Sequence, residues 1–95
     1  MKITVEFLSL PVITRVVGGK TVTMQFPGRT VGDLIGEIVK KYGEDVGRFL
    51  LDDSGKLDMT LKILLNKKQW LTREQTDTPL AEGDTVTLMM LVGGG

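Results

Sequence analysis

The residues with the clearest chemical potential are the last three of the chain, Gly93, Gly94 and Gly95, which follow the apolar run Leu88 to Val92. Because glycine has no side chain, this segment is thin, and it ends in a free α-carboxylate. It can thread through a narrow slot into the active site of another protein, where bulkier residues would clash with the walls. We therefore expect the protein to present the carboxylate of Gly95 for chemistry. The alternative interpretation is a flexible tail or a cloning scar.

The composition argues against conventional catalysis by the chain itself. It contains no cysteine and no histidine. This excludes disulfides, thiolate zinc sites and cysteine nucleophiles, and it removes the one side chain whose unperturbed pKa suits acid and base catalysis near neutral pH. No glycine-rich phosphate loop is present either. We expect a protein that is not an enzyme and binds no metal or cofactor, so that any ATP would be used by a partner.

The charge and hydropathy patterns favour one folded domain without a nucleic-acid or membrane partner. Twelve Lys and Arg balance twelve Asp and Glu and are spread along the chain, so the basic patch of a nucleic-acid binder is missing. The longest apolar stretch is far shorter than the roughly 20 residues that a bilayer requires. The N-terminus lacks the pattern of a secretory signal. We expect a single domain over residues 1–95, with 92–95 as a flexible glycine tail, in the cytoplasm.

Two alternating runs predict the first two strands. In residues 2–9 apolar side chains occupy every second position, and the run Lys20 to Phe26 repeats this pattern after a turn at Gly18-Gly19. The two strands are predicted to form a hairpin, and the segment Leu10 to Val17 is predicted to be a long, partly extended connection between them.

A helix is predicted to follow Thr30. Its apolar positions recur with the helical period: Val31, Leu34, Ile35, Ile38, Val39 and Tyr42. Thr30 and Asp33 have the spacing of a capping box, and Gly43 is placed to end the helix in a left-handed conformation. Gly32 and Gly36 lie inside the helix, where each costs roughly 1 kcal/mol relative to alanine. Close packing of the helix on a sheet is the predicted compensation.

The second half of the chain predicts shorter elements and a final strand. In order, these are a short apolar segment 46–51, a turn 52–55, a strand at 61–65 with Leu64 facing outward, a polar irregular region 66–78, a turn 79–84 and a last strand 85–91. The order of elements predicts an α+β fold in which a mixed sheet covers one long helix. One helix can cover only one face of the sheet.

The other face of the sheet is predicted to carry an exposed apolar patch. Its members are Leu8, Leu64, Met89 and Leu91. Patches of this kind usually mark partner sites, and methionine suits them because its flexible thioether side chain adapts to the shape of a partner. The alternative is that the region 66–78 folds over this face through Trp70.

The last third of the chain resembles a known family. Three stretches carry the resemblance: Lys62 to Asn66, then Thr78 to Leu88 with the pattern T-x-L-x-x-G-D-x-V, and the terminal Gly94-Gly95. They are similar to the ubiquitin-like sulfur carriers, which include MoaD, the small subunit of molybdopterin synthase, and ThiS, the thiamine sulfur carrier. The resemblance implies a β-grasp fold with four to five strands around one main helix.

The resemblance also implies a cycle of carboxylate activation. An adenylyltransferase of the MoeB or ThiF type would use ATP to adenylate Gly95, and a sulfur donor would then replace AMP to give a thiocarboxylate. A sulfur-accepting synthase subunit or enzyme would use that sulfur. Gly94, Gly93 and Val92 would form the thin tail behind the reactive carbon, and the apolar patch would be the docking surface for these partners.

The particular pathway stays open at the level of sequence. Molybdopterin biosynthesis is the first candidate, although Met90 and Leu91 occupy places where two prolines are common in that branch. Thiamine or sulfur amino-acid synthesis is the alternative, and a ubiquitin-like modifier joined to lysines or a passive interaction module are others. Whether the third glycine is functional or trimmed is also open.

Overall fold

The chain folds into a five-stranded sheet and three helices in a computed structural model that describes residues 1–90. In chain order the elements are β1 (Lys2–Leu8), α1 (Pro11–Val17), β2 (Thr21–Gln25), α2 (Val31–Tyr42), α3 (Glu44–Leu50), β3 (Leu61–Leu65), β4 (Gln69–Leu71), a 3-10 turn (Arg73–Gln75) and β5 (Thr85–Met90). The predicted α+β class is confirmed, with α2 as the longest helix.

The sheet is mixed, in the order β2-β1-β5-β3-β4. The β1 strand pairs with β2 antiparallel, as the predicted hairpin requires, and with β5 in parallel. The β3 strand pairs antiparallel with both β5 and β4. The first and last strands of the chain are therefore neighbours at the centre of the sheet.

The core lies between one face of the sheet and the helices. Alternation along β1 and β5 directs Val5, Phe7, Val86 and Leu88 to this inner face, where all four are fully buried. Helix α2 contributes the buried residues that its period predicts, among them Ile38. Each such side chain stabilises the fold by roughly 1.5–3 kcal/mol relative to an exposed position. The inner face thus supplies most of the apolar burial.

The start of α2 confirms the predicted capping box. The Thr30 hydroxyl accepts a hydrogen bond from the backbone N–H of Asp33 at 3.1 Å, and the Asp33 carboxylate accepts one from the backbone N–H of Thr30 at 3.2 Å. Backbone N–H bonds from Arg29 and Thr30 hold the pKa of Asp33 below its usual value. At the other end of α2, Gly43 has the positive φ expected of a left-handed cap, 91°, but its ψ of −172° lies outside the left-handed helical region. The predicted left-handed cap is therefore wrong.

The segment between β1 and β2 differs from its prediction. Instead of an extended connection it contains helix α1, with Pro11 in the first turn and Gly18 as a left-handed cap whose N–H bonds to Thr14 O. The β-branched residues of this stretch favour strands, and they obscured the helix. Burial of Ile13 beside α3 supplies the packing that intrinsic propensity does not.

A short strand, β4, lies in the region that was predicted to be irregular. A tight turn connects it to β3, closed by a hydrogen bond from Lys68 N to Leu65 O, and both central residues have positive φ: 52° at Asn66 and 59° at Lys67. Hairpin turns of this geometry usually carry Gly at one of these positions. Because neither position is a glycine, the sequence does not predict this hairpin.

The predicted reason for the two helix glycines is wrong. The N–H of Gly32 donates a 2.7 Å hydrogen bond to Thr76 O, and a Cβ on Gly32 would lie 3.2 Å from the same oxygen. Its neighbour is therefore the segment after the 3-10 turn and not the sheet. Outside the backbone of α2 itself, no atom of residues 1–90 lies within 4 Å of a Cβ built on Gly36, which is exposed. Packing explains only the first glycine.

Gly36→Ala is expected to raise the free energy of unfolding by about 0.5–1 kcal/mol, because alanine favours a helix and the new methyl group meets no atom of residues 1–90 beyond the backbone of α2. The matched Gly32→Ala variant should gain less or lose stability, since its methyl group would press on Thr76. Urea denaturation of both variants measures the difference. Equal stabilisation would contradict the close approach of Thr76 to α2.

Candidate functional site

The predicted reactive residues begin immediately after β5. Leu91, Val92, Gly93, Gly94 and Gly95 lie outside the described residues, so the structure bears only on the base from which they extend. That base is Met90, which lies opposite Leu61 of β3, and its neighbour Met89 lies opposite Leu8 of β1. Five further residues reach at most about 17 Å. Anything that acts on Gly95 must therefore come close to this end of the sheet.

The family-like motif forms the turn that starts β5. The side-chain amide of Asn66 donates to Asp84 Oδ1 at 3.0 Å, and its oxygen accepts from Thr85 N at 2.8 Å. The second carboxylate oxygen of Asp84 accepts from Ala81 N at 2.8 Å, and Gly83 supplies a positive φ of 85°. These contacts tie the end of β3 to the start of β5. The motif thus fixes the register of the strand that leads to the tail.

The outer face of the sheet carries three of the four residues of the predicted patch. Leu8 and Met89 lie directly opposite each other on adjacent strands. Leu64 lies one row away, opposite Thr87. Leu8 is 38% exposed, and the other two side chains are half-buried. The structure therefore brings Leu8, Met89 and Leu64 to one surface, next to the end of β5, and their role in docking stays a prediction.

The region 66–78 does not form the predicted alternative cover for this surface. Trp70 lies in β4 opposite Leu64 and remains 58% exposed, so it extends the outer face at its edge. Beyond it the chain turns to the helix side, where the oxygens of Thr76 and Thr78 accept hydrogen bonds from the start of α2. We name the surface formed by Leu8, Leu64, Trp70 and Met89 the outer patch.

The centre of the outer face carries a polar contact that the sequence does not predict. The Thr87 hydroxyl donates a 2.8 Å hydrogen bond to Glu6 Oε1, and Lys67 Nζ lies 3.6 Å from Glu6 Oε2. Thr87 is 1% exposed although it faces away from the core. The strand alternation placed Glu6 and Thr87 on the outer face, but only the pairing of β1 with β5 shows that they meet. They add a directional polar contact beside the outer patch.

The carboxylates with the clearest pKa shifts among the described residues belong to turns. The pKa of Asp52 is lowered to about 2, and the largest cause is a hydrogen bond that the Ser54 hydroxyl donates to its carboxylate. The Thr60 hydroxyl likewise holds the pKa of Asp58 below its usual value. Both carboxylates organise loops and lie away from the outer patch. Within residues 1–90 no group of acidic side chains is arranged to hold a metal, and no helix is long and apolar enough to cross a bilayer.

Solved structures of other proteins share this architecture along almost their whole length. SAMP1 from Haloferax volcanii matches with a TM-score of 0.79 at 23% identity, with 100% of both chains covered. A putative molybdopterin converting factor, subunit 1, from Pyrococcus furiosus matches with a TM-score of 0.72 at 23% identity over 97% of this chain and 99% of the other. CysO from Mycobacterium tuberculosis matches with a TM-score of 0.74 at 28% identity over 95% and 99%. The fold is thus the ubiquitin-like β-grasp.

The family follows from the sequence itself. The model of the ThiS family matches residues 13–95, which include the motif turn, β5 and the terminal glycines. The chain therefore belongs to the ThiS family, and the predicted relationship to the ubiquitin-like sulfur carriers is confirmed. No curated protein sequence matches the chain.

Asp84→Ala is expected to lower the free energy of unfolding by about 1–2 kcal/mol, because it removes two hydrogen bonds that anchor the start of β5. Asp53→Ala, at an exposed turn position whose side chain makes no such bond within residues 1–90, is the control and should change stability little. Chemical denaturation provides both values. If the two variants were equally stable, the motif would not have the anchoring role described here.

Proposed function

We propose that this protein is a sulfur carrier whose terminal carboxylate, on Gly95, is converted to a thiocarboxylate by partner enzymes. The observation that supports the proposal most is the family match, which runs through the final strand to residue 95. The central position of β5 adds to it, because β1 pairs with the strand as far as Met89 and β3 pairs with it as far as Met90. A rigid base with a short thin tail suits chemistry that takes place inside another protein.

The proposed chemistry needs no side chain from the carrier. A carboxylate oxygen is a poor leaving group, so a direct exchange with sulfur would be slow. In the proposed cycle the carboxylate attacks the α-phosphate of ATP in an adenylyltransferase of the MoeB or ThiF type, and pyrophosphate leaves. A sulfur nucleophile then attacks the acyl carbon of Gly95 and AMP leaves. The carrier supplies the acyl group and the partners supply the catalysis and the ATP site.

The thiocarboxylate would pass its sulfur to a synthase subunit or enzyme. We propose molybdopterin biosynthesis as the first pathway to test, since a putative molybdopterin converting factor subunit is among the structural relatives. The likeness to CysO keeps a different sulfur acceptor as an alternative within the same carrier class. The likeness to SAMP1, a small archaeal modifier protein, favours a second function, in which the activated carboxylate joins lysines of target proteins.

The outer patch is the proposed docking surface for these partners. A partner that holds Gly95 in its active site must lie within the reach of the five residues that follow Met90, and Met89 and Leu8 flank that point on the outer face. Apolar side chains with partial exposure provide the contact area, and the Glu6 carboxylate, paired with Lys67, supplies a directional polar contact among them.

Protein co-produced with its host's activating enzyme and sulfur donor should contain a fraction whose intact mass has increased by one oxygen-to-sulfur exchange, located on Gly95. Gly95→Ala should abolish this fraction while leaving the thermal unfolding curve unchanged, because a chain terminus holds few contacts. Ile35→Ala should act in the opposite way and cost about 2–5 kcal/mol of stability, since Ile35 is buried on the core side of α2.

Mass spectrometry and thermal denaturation are carried out on the wild-type protein, Gly95→Ala and Ile35→Ala. Denaturing gels and activity measurements then separate the alternative functions. A ladder of lysine adducts on denaturing gels, lost when Gly94 and Gly95 are deleted, would indicate a modifier. Retention of biological activity without the two glycines would indicate a passive interaction module. Persistent absence of the sulfur-loaded form from the wild-type protein, with both partners active, would refute the carrier proposal.

Leu8→Glu should raise the KM of the activating enzyme for this protein by about tenfold or more while kcat stays within a factor of about two, because a charge would be buried in an apolar contact. Gln25→Glu places the same charge on the outer face two strands from β5 and serves as the matched control. Steady-state pyrophosphate release measures both variants. Equal effects of the two charges would argue against docking at the outer patch.

A further inference from the structure

A second apolar surface lies at the end of β5, on the side opposite the outer patch. It is a groove with a volume of about 150 Å³, and its lining is entirely apolar: Leu10, Pro11, Val12, Ile13, Phe49 and Met90. The start of α1 forms one wall, α3 contributes the ring of Phe49, and Met90 closes the end from which the tail extends. We name it the tail groove.

Some apolar side chains that line the tail groove are partly exposed, whereas other apolar side chains of the same helices are buried. On α3, Val46 and Leu50 are fully buried, whereas Phe49 remains 40% exposed at the rim. On α1, Ile13 is buried, whereas the groove residue Val12 is half-buried. Exposed aromatic and aliphatic side chains grouped in this way are typical of protein contact sites.

The position of the groove limits what can occupy it. Met90 is one of its walls, and Gly95 lies within about 17 Å of Met90 along an extended chain. A protein that encloses the terminal carboxylate must therefore lie close to the end of β5 that borders the groove. The lining offers no side-chain partner for a polar group, so a buried polar or charged side chain would lose its hydrogen bonds to water without replacement. An aliphatic or aromatic side chain fits both the chemistry and the volume.

We propose that the tail groove receives one apolar side chain of the enzyme that activates Gly95, so that this partner grips the base of the tail from both faces of the sheet. The inference rests on the proposed function and adds a second contact to the outer patch. Apolar contacts on both sides of Met90 would exclude water at the point where the tail enters the partner. The chain's own Val92 is the competing occupant, but a tail folded back into the groove could not extend its terminus into an active site.

Kinetics with the full-length chain and the activating enzyme test the proposal. Phe49→Glu should raise the KM for the carrier by about tenfold or more with little change in kcat, since it places a charge at the rim of an apolar contact. Phe49→Leu, which stays apolar, should recover most of the wild-type KM. Met59→Glu is the control, because Met59 is 74% exposed and lies outside the groove.

Methyl and aromatic NMR spectra of the wild-type protein provide a measurement that does not depend on the folding of a variant. Addition of the activating enzyme without ATP should broaden or shift the signals of Val12, Ile13 and Phe49. The full-length Val92→Asp variant, measured without partner, should leave those signals at their wild-type positions.

The possible results distinguish a failure of the groove proposal from a failure of the proposed carrier function. Unchanged groove signals with the enzyme present, or equal effects of Phe49→Glu and Met59→Glu on KM, would overturn the proposal while leaving activation of Gly95 intact. A shift of the groove signals in Val92→Asp alone would overturn it in favour of the chain's own tail. If the enzyme does not activate the wild-type chain at all, the proposed function fails and this inference fails with it.

Discussion

The pairing of the first strand with the last is the constraint on which the rest of the structure depends. In β1 and β5 the residues from Thr4 to Leu8 lie opposite those from Thr85 to Met89, so the two ends of the chain meet at the centre of the sheet. Every element between them must fit into the connection that this parallel pairing requires. It buries Val5 and Val86 side by side against the helices, and it fixes Met89, one residue before the end of β5. Loss of this pairing would remove the core and the base of the tail together.

The two faces of the sheet have different roles because, within residues 1–90, helices cover only one of them. The inner face excludes water and stabilises the fold, while the outer face keeps Leu8, Met89 and Trp70 accessible around the polar contact of Glu6 with Thr87. A fold stabilised from one side can carry an apolar contact surface on the other without losing its core. In the proposed cycle this separation allows partner enzymes to bind and release the carrier while its sheet stays intact.

Much of the fold could be predicted because its signals are local. Helix α2 shows its period and its capping box within a few residues, and the strands alternate. Helix α1 was missed because its β-branched residues favour a strand, and packing against α3 decides its conformation. The role of Gly32 depends on Thr76, which is distant in sequence, so no local pattern could reveal it. For the same reason the tail groove, which combines α1, α3 and β5, had no signature in the sequence.

Amide hydrogen exchange along β5 tests the central claim, that a rigid strand presents the tail, more directly than any activity assay. We expect the amides of Val86 to Leu88 to exchange only through global unfolding, with the same denaturant dependence as the whole protein, while amides of the edge strands β2 and β4 exchange through smaller openings. Rapid exchange in β5 through local opening, at a free energy below that of the edge strands, would contradict the account.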